Sequence, residues 1–316
     1  MKIGILTLPL EKNYGGILQA FALQKVLRGF GHDVITIDRH NRNKYPSFTI
    51  HLLGFIKRLL FRLFLHKNVS IKWDPFESEN EYRNRIRPNW SRLFVERNIH
   101  LTHFIYQDQL KAIDNEYKFN AYVVGSDQVW LSKYCPNSFL DFVTRANVKK
   151  IIYAASCGKY SMFDDNHLIK KCEKLARDFV GISVREDYLE KLCKERLHIN
   201  TEWVLDPTML LEPKDYLNAT ENTVGTDSIV FSYILDETPS KRYLVDMISK
   251  ELRIPYVDGN VSSENVDETN HPSVDDWIHN IKRAKYVITD SFHGTAFSIL
   301  FNKPFIAIGN ELRGIN

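Results

Sequence analysis

Residues 284–309 read AKYVITDSFHGTAFSILFNKPFIAIG, and the order of patterns in this stretch decides the fold class. The apolar run Tyr286–Thr289 predicts a buried parallel strand, and Gly294–Phe301 carries helical spacing before a second apolar run. Between strand and helix stands the polar elbow Asp290-Ser291-Phe292-His293-Gly294. The imidazole of His293 is thereby expected at a helix N-terminus, on the carboxyl edge of a sheet. Open α/β sheets take ligands at that edge, and helix N-termini attract anions. A ring that can move protons beside an anion cradle is a candidate reaction centre. The alternative is that His293 only caps or packs the elbow.

The same rhythm opens the chain. Lys2–Leu8 is a continuous apolar strand, Asn13-Tyr14-Gly15-Gly16 reads as a turn, and Ile17–Phe30 has helical spacing. Gly31 stops that helix, and Asp33–Asp38 follows as a second strand. A βαβ start of this kind implies an α/β fold with a parallel sheet. Residues 40–115 lose the rhythm and read as a helical insertion. Strands resume at Phe119–Gly125, Lys149–Ser156, Gly181–Val184 and Trp203–Leu205, with a helix expected over Leu168–Phe179.

Asp206-Pro207-Thr208 closes this half, and Leu211–Gly225 reads as a connector. A second α/β unit then follows: a strand at Ser228–Ile234, a helix at Lys241–Leu252, a strand near Ile254–Val257, a helix at Val274–Arg283 and the opening segment. The expectation is two Rossmann-like domains with parallel sheets facing a cleft, one over 1–212 carrying the insertion and one over 213–316.

Composition narrows the function classes. The chain has 316 residues, 44% of them hydrophobic and 26% charged, values ordinary for a globular protein. Its 42 basic and 39 acidic side chains leave a net charge of +3, too small to point to nucleic acid. Cys135, Cys157, Cys172 and Cys193 form no CxxC pair, and no histidine cluster has zinc spacing, so no metal site is expected. Reduced, mostly buried thiols and the lack of a signal-like N-terminus suggest a cytoplasmic location. The segment 50–67, IHLLGFIKRLLFRLFLHK, alternates apolar and cationic residues. It could lie on an anionic membrane surface, or form a buried helix pair or an oligomer contact.

Three further motifs fall at expected strand ends. Asn13, Tyr14 and Gly15 lie where a doubly wound domain places its first ligand-facing turn, though a plain tight turn reads equally well. The GxGxxG spacing of a dinucleotide site is missing, which argues against NAD or FAD. In Gly125-Ser126-Asp127-Gln128-Val129-Trp130, the polar side chains are expected to enter the crevice and Trp130 to stack on a sugar. Helix capping by Ser126 or Asp127 is the alternative. Arg185 follows another strand end, where it can grip carboxylate or phosphate, or pair with its acidic neighbours. Lys282, Arg283 and Lys285 read as a solvated helix end.

In order, the motifs NYGGILQAFALQKVL, VVGSDQVW, YAASCG, ISVRED, VLDPTML and VITDSFHGTAFSILFNKPFIAIG resemble the polysaccharide pyruvyl transferase family. The resemblance implies a fold like that of GT-B glycosyltransferases. It also implies transfer of pyruvate from phosphoenolpyruvate onto a sugar or lipid-linked oligosaccharide to form a ketal, with phosphoenolpyruvate as donor substrate and no cofactor. His293 and Asp127 are then the expected catalytic residues. Arg185, Ser126, Asn13, Tyr14, Gly15, Ser291, Gly294 and Arg313 are expected to bind substrate.

Two features depart from the family pattern. Many relatives carry an arginine two positions before the motif histidine, where this chain has Ser291; Lys282, Lys285 or Arg313 could supply the cation instead. The chain also stops at Asn316, before the closing helices expected of the second domain. Glycosyl transfer from a nucleotide-sugar and inactive glycan binding are the alternatives on the same architecture.

Overall fold

The computed structural model describes residues 1–11, 13–41, 55–56, 59–60, 62, 90–158, 161–260 and 272–310. Two fully parallel sheets organise it. The first has the order β2-β1-β5-β6-β7-β8, built from β1 (Lys2–Leu6), β2 (Asp33–Thr36), β5 (Ala121–Val124), β6 (Lys149–Ala155), β7 (Gly181–Val184) and β8 (Glu202–Trp203). The second has the order β10-β9-β11-β12, built from β9 (Ile229–Tyr233), β10 (Tyr256–Asp258), β11 (Ala284–Thr289) and β12 (Phe305–Ala307). Strands such as AYVV and IVFSY are buried along their whole length, as expected where helices cover both faces of a parallel sheet.

The first helix, α1, spans Tyr14–Gly29 and so begins three residues before the expected start at Ile17. Gly15 and Gly16 lie in its first turn, and the expected turn at this position is therefore absent. Its partners explain its composition. Tyr14, Ile17, Leu18 and Phe21 join one apolar cluster with Tyr216, Phe231, Trp277 and Phe297. The two sheets thus share an apolar core across α1, and they approach an open cleft only beyond its N-terminus.

The expected insertion at 40–115 is narrower than read. The helix α2 (Trp90–Asn98) buries Phe94 and Val95 in the shared cluster, with Phe94 meeting Phe21 edge-on at 5.6 Å. Beyond it, Leu101 bridges to Thr36, and β4 (Ile105–Tyr106) runs parallel to β3 (Arg39–His40). Arg92 grips the buried Asp38 through two bonds of 2.8 and 2.6 Å. These contacts make 90–117, including α3 (Leu110–Tyr117), part of the first lobe. Non-local pairings of this kind leave no periodic trace in the sequence. The membrane reading of 50–67 falls almost wholly outside the described residues, and Arg313 falls outside them entirely. Among the described residues, no helix is long and apolar enough to cross a membrane.

The later elements follow their signals closely. Asp165 caps α4 (Asn166–Ala176) by accepting from the backbone N–H groups of His167 and Leu168. Next come α5 (Asp187–Arg196), α6 (Pro213–Ala219) and α7 (Pro239–Leu252). Of these, α6 lies inside the stretch read as a connector; proline at its first turn and the buried Tyr216 account for it. Last are α8 (Val274–Arg283), capped by Ser273, and α9 (Phe292–Leu300).

Candidate functional site

A cleft of about 310 Å³ opens where the carboxyl edges of the two sheets meet. The first lobe contributes Asn13, Asp127, Gln128 and Arg185; the second contributes the elbow Asp290–His293 and the stretch 307–310. The strand–elbow–helix reading of 284–301 therefore holds, and it brings His293 to the cleft.

Each piece of the elbow has a distinct structural cause. Asp290 accepts bonds from the backbone N–H groups of Leu235 (2.6 Å) and Asp236 (3.1 Å), and from Lys241 Nζ (2.8 Å). Ser291 is the N-cap of α9, its hydroxyl accepting from the Gly294 N–H at 3.3 Å. A short polar side chain therefore performs local work at the position where the resemblance leads to the expectation of an arginine. Gly294 meets Thr289: a Cβ there would lie 2.2 Å from Thr289 Oγ1. Gly294 thus serves close helix–strand packing.

His293 is only 6% exposed, and its environment comes from the opposite lobe. A Cβ on Gly15 would lie 1.9 Å from His293 Nδ1, so only glycine permits the ring to sit against α1. Nε2 is closed off from solvent without a hydrogen-bond partner and stands 3.7 Å from Asp206 Oδ2.

Asp206 is fully buried and was assigned no role from sequence. Its Oδ1 accepts from the Thr208 backbone N–H (2.9 Å) and hydroxyl (2.7 Å). Its Oδ2 meets the Ser126 hydroxyl at 2.7 Å and Arg185 Nη1 at 3.2 Å. Burial alone would raise the Asp206 carboxyl. His293, Arg185 and the Ser126 hydroxyl outweigh it and hold the group well below the usual carboxylate range. The available signal was Asp-Pro-Thr after a strand, a capping pattern that reads as structural.

Arg185 combines both of its alternatives. It pairs with Asp206, with Glu186 at 3.2 Å and with Asp127 at 3.8 Å. Its guanidinium also lies 4.1 Å from the ring centroid of Phe292 and lines the cleft. Burial pulls this cation's pKa down, and the three carboxylates together raise it above the ordinary value. Among the described residues lining the cleft, it is the one arginine or lysine. Asp127, held at φ 68°, accepts from Asn13 Nδ2 at 2.7 Å, so these two expected residues meet at the cleft wall.

Several expectations fail for reasons of packing. Trp130 is fully buried, stacked on Phe139 at 5.6 Å, and cannot hold a sugar; the exposed aromatic at the cleft is Phe292. Ser126 is buried beneath the cleft, 2.7 Å from Ala154 O as well as from Asp206. Tyr14 turns into the shared core and donates to Pro272 O at 2.5 Å, and burial pushes its phenol pKa up. Lys282 and Lys285 flank the amino end of β11, the opposite end of the strand from the elbow, and so do not supply a cation there.

The family model of polysaccharide pyruvyl transferases matches residues 13–311. The chain belongs to this family. The UDP-GlcNAc 2-epimerase from Neisseria meningitidis bound to UDP-GlcNAc is a similar structure, at 11% identity and a TM-score of 0.50. That likeness covers 97% of this chain and 82% of the epimerase. A glycosyltransferase from Rickettsia africae aligns over 98% of this chain and 79% of its own, at 14% identity and a TM-score of 0.48. The E. coli heptosyltransferase WaaC with ADP-2-deoxy-2-fluoro heptose covers 100% and 91%, at 11% identity and 0.43. The chain adopts the two-lobed, GT-B-like fold expected from the motifs. No curated protein matches the chain.

Proposed function

We propose that this chain transfers the pyruvyl group of phosphoenolpyruvate to two hydroxyls of a sugar in a cell-surface glycan precursor, forming a ketal. The observation that carries this reading is the convergence of His293 and Arg185 on one cleft between the lobes. The chemistry needs a cation for carboxylate or phosphate and a group that moves hydroxyl protons. Arg185 supplies the first and His293 the second, with free backbone N–H groups at the start of α9 adding a dipole for an anion.

The steps balance. One sugar hydroxyl adds to the enol carbon as the methylene carbon gains a proton and becomes a methyl group. A second hydroxyl displaces phosphate from the same carbon and closes the ring. The two hydroxyl protons account for the new methyl hydrogen and for the proton carried away on phosphate. Phe292, exposed beside both groups, offers an apolar face to the methylene or to a sugar ring.

Purified protein is expected to release phosphate from phosphoenolpyruvate in the presence of a sugar acceptor, with a ketal methyl signal appearing in the product's proton spectrum. Turnover of a nucleotide-sugar, with phosphoenolpyruvate inert across the same acceptor panel, overturns the assignment.

A further inference from the structure

We propose that Asp206 is the positioning residue of this site, fixing the His293 proton on Nε2 so that Nδ1 faces the reacting hydroxyl with a free lone pair. The inference deepens the proposed function and rests on it for the identity of that hydroxyl. Three observations carry it. Nε2 is buried and without a hydrogen-bond partner, and it is directed at a carboxylate oxygen 3.7 Å away. That carboxylate is itself anchored, its other oxygen accepting from the Thr208 backbone N–H and hydroxyl. His293 lines the cleft, and its ring is seated against Gly15, where any side chain would displace it.

The contact crosses between lobes, since Asp206 follows β8 and His293 opens α9. A separation of 3.7 Å leaves room to tighten, as catalytic hydrogen bonds often do when substrate arrives. In the ring-closing step, the hydroxyl O–H bond breaks as its oxygen bonds the ketal carbon, and the bond from that carbon to phosphate breaks as phosphate leaves. The proton passes to Nδ1, and the resulting imidazolium is balanced by Asp206. Asp206 faces the ring from the first lobe and is shared with Arg185, which also pairs with Asp127 and Glu186; in the second lobe Asp290, three positions before His293, is tied to Lys241.

Two measurements test this. Nitrogen NMR of the histidine rings in the unliganded wild-type protein, with His293→Gln used for assignment, is expected to place the neutral ring's proton on Nε2. Asp206→Asn, checked for folding by its melting curve, is expected to lower kcat by about 10²- to 10⁴-fold with little change in the KM for phosphoenolpyruvate. Ser126→Ala, which touches the same carboxylate without removing its charge, is expected to cost less than about tenfold.

A proton found on Nδ1 in the wild type overturns the proposal, whatever the variants do. So does a folded Asp206→Asn with undiminished kcat. The NMR measurement needs no substrate, so failure of phosphoenolpyruvate turnover would remove the proposed function while leaving this arrangement open to test.

Discussion

Two hollows in the molecule differ in size and in the groups that line them. The larger, about 710 Å³, lies beside the connector and the start of α8, where Glu221, Asp258, Asp275 and Asp276 outnumber Arg97. The smaller, about 310 Å³, is the cleft that holds Arg185 and His293. In the larger, Arg97 is divided between Glu221 at 2.7 Å and Asp275 at 2.8 Å, and burial still leaves the Asp275 carboxyl raised. In the smaller, Arg185 is the one arginine or lysine among the described lining residues, beside Asp127 and Asp290. It stands with His293, and its buried partner Asp206 is held low. What sets the second hollow apart is a buried guanidinium beside an imidazole, the two groups that the proposed chemistry needs. A guanidinium beside an imidazole marks the candidate site here; volume does not.

Breaking the cleft should have graded consequences. His293→Ala is expected to cost about 10²- to 10⁴-fold in kcat for phosphate release, the usual range for loss of a proton-transfer group. Turnover within tenfold of wild type would remove the ring from the chemistry. Arg185→Gln strands Asp206, Glu186 and Asp127 without their shared cation. It is expected to destabilise the fold by about 3–5 kcal/mol in denaturant titrations and to raise the KM for phosphoenolpyruvate. A raised melting temperature would show that the carboxylates do not depend on it.

Gly15→Ala pushes a methyl group against the imidazole. Displacement of a reacting group by about 1 Å can cost about 10²-fold, so kcat should fall by that order while the melting temperature moves little. An unchanged kcat would mean that the ring position is not critical. The control lies in the other hollow. Glu221→Gln removes one partner of a solvent-exposed pair and should leave kcat/KM unchanged and stability within about 0.5 kcal/mol. A large loss of activity from Glu221→Gln would make the acidic hollow part of the site after all.

The elbow shows how much was legible in the chain. An apolar run, a polar break and a helical period are local signals, and they located His293 correctly at a strand end. Arg185 and Asp127 reached the cleft for the same reason: each follows a strand whose carboxyl end faces the other lobe. Asp206 was missed because Asp-Pro-Thr has a sufficient local purpose, capping a 3-10 turn. Trp130 was misjudged because the sequence does not say which residues after a strand end turn inward. Gly15 looked like a turn glycine, although the ring that requires it is 278 positions away.

From its own patterns the chain determined an α/β class, parallel strands, most helix positions and the residue types gathered at strand ends. These follow from periodicity and capping, which act over a few residues. Tertiary structure alone decided that α1 is shared by both sheets, that Ser126 and Tyr14 turn away from the cleft, and that Asp206 stands behind His293. Those outcomes depend on packing and desolvation between groups far apart in the chain, where burial fixes which partner satisfies each charge.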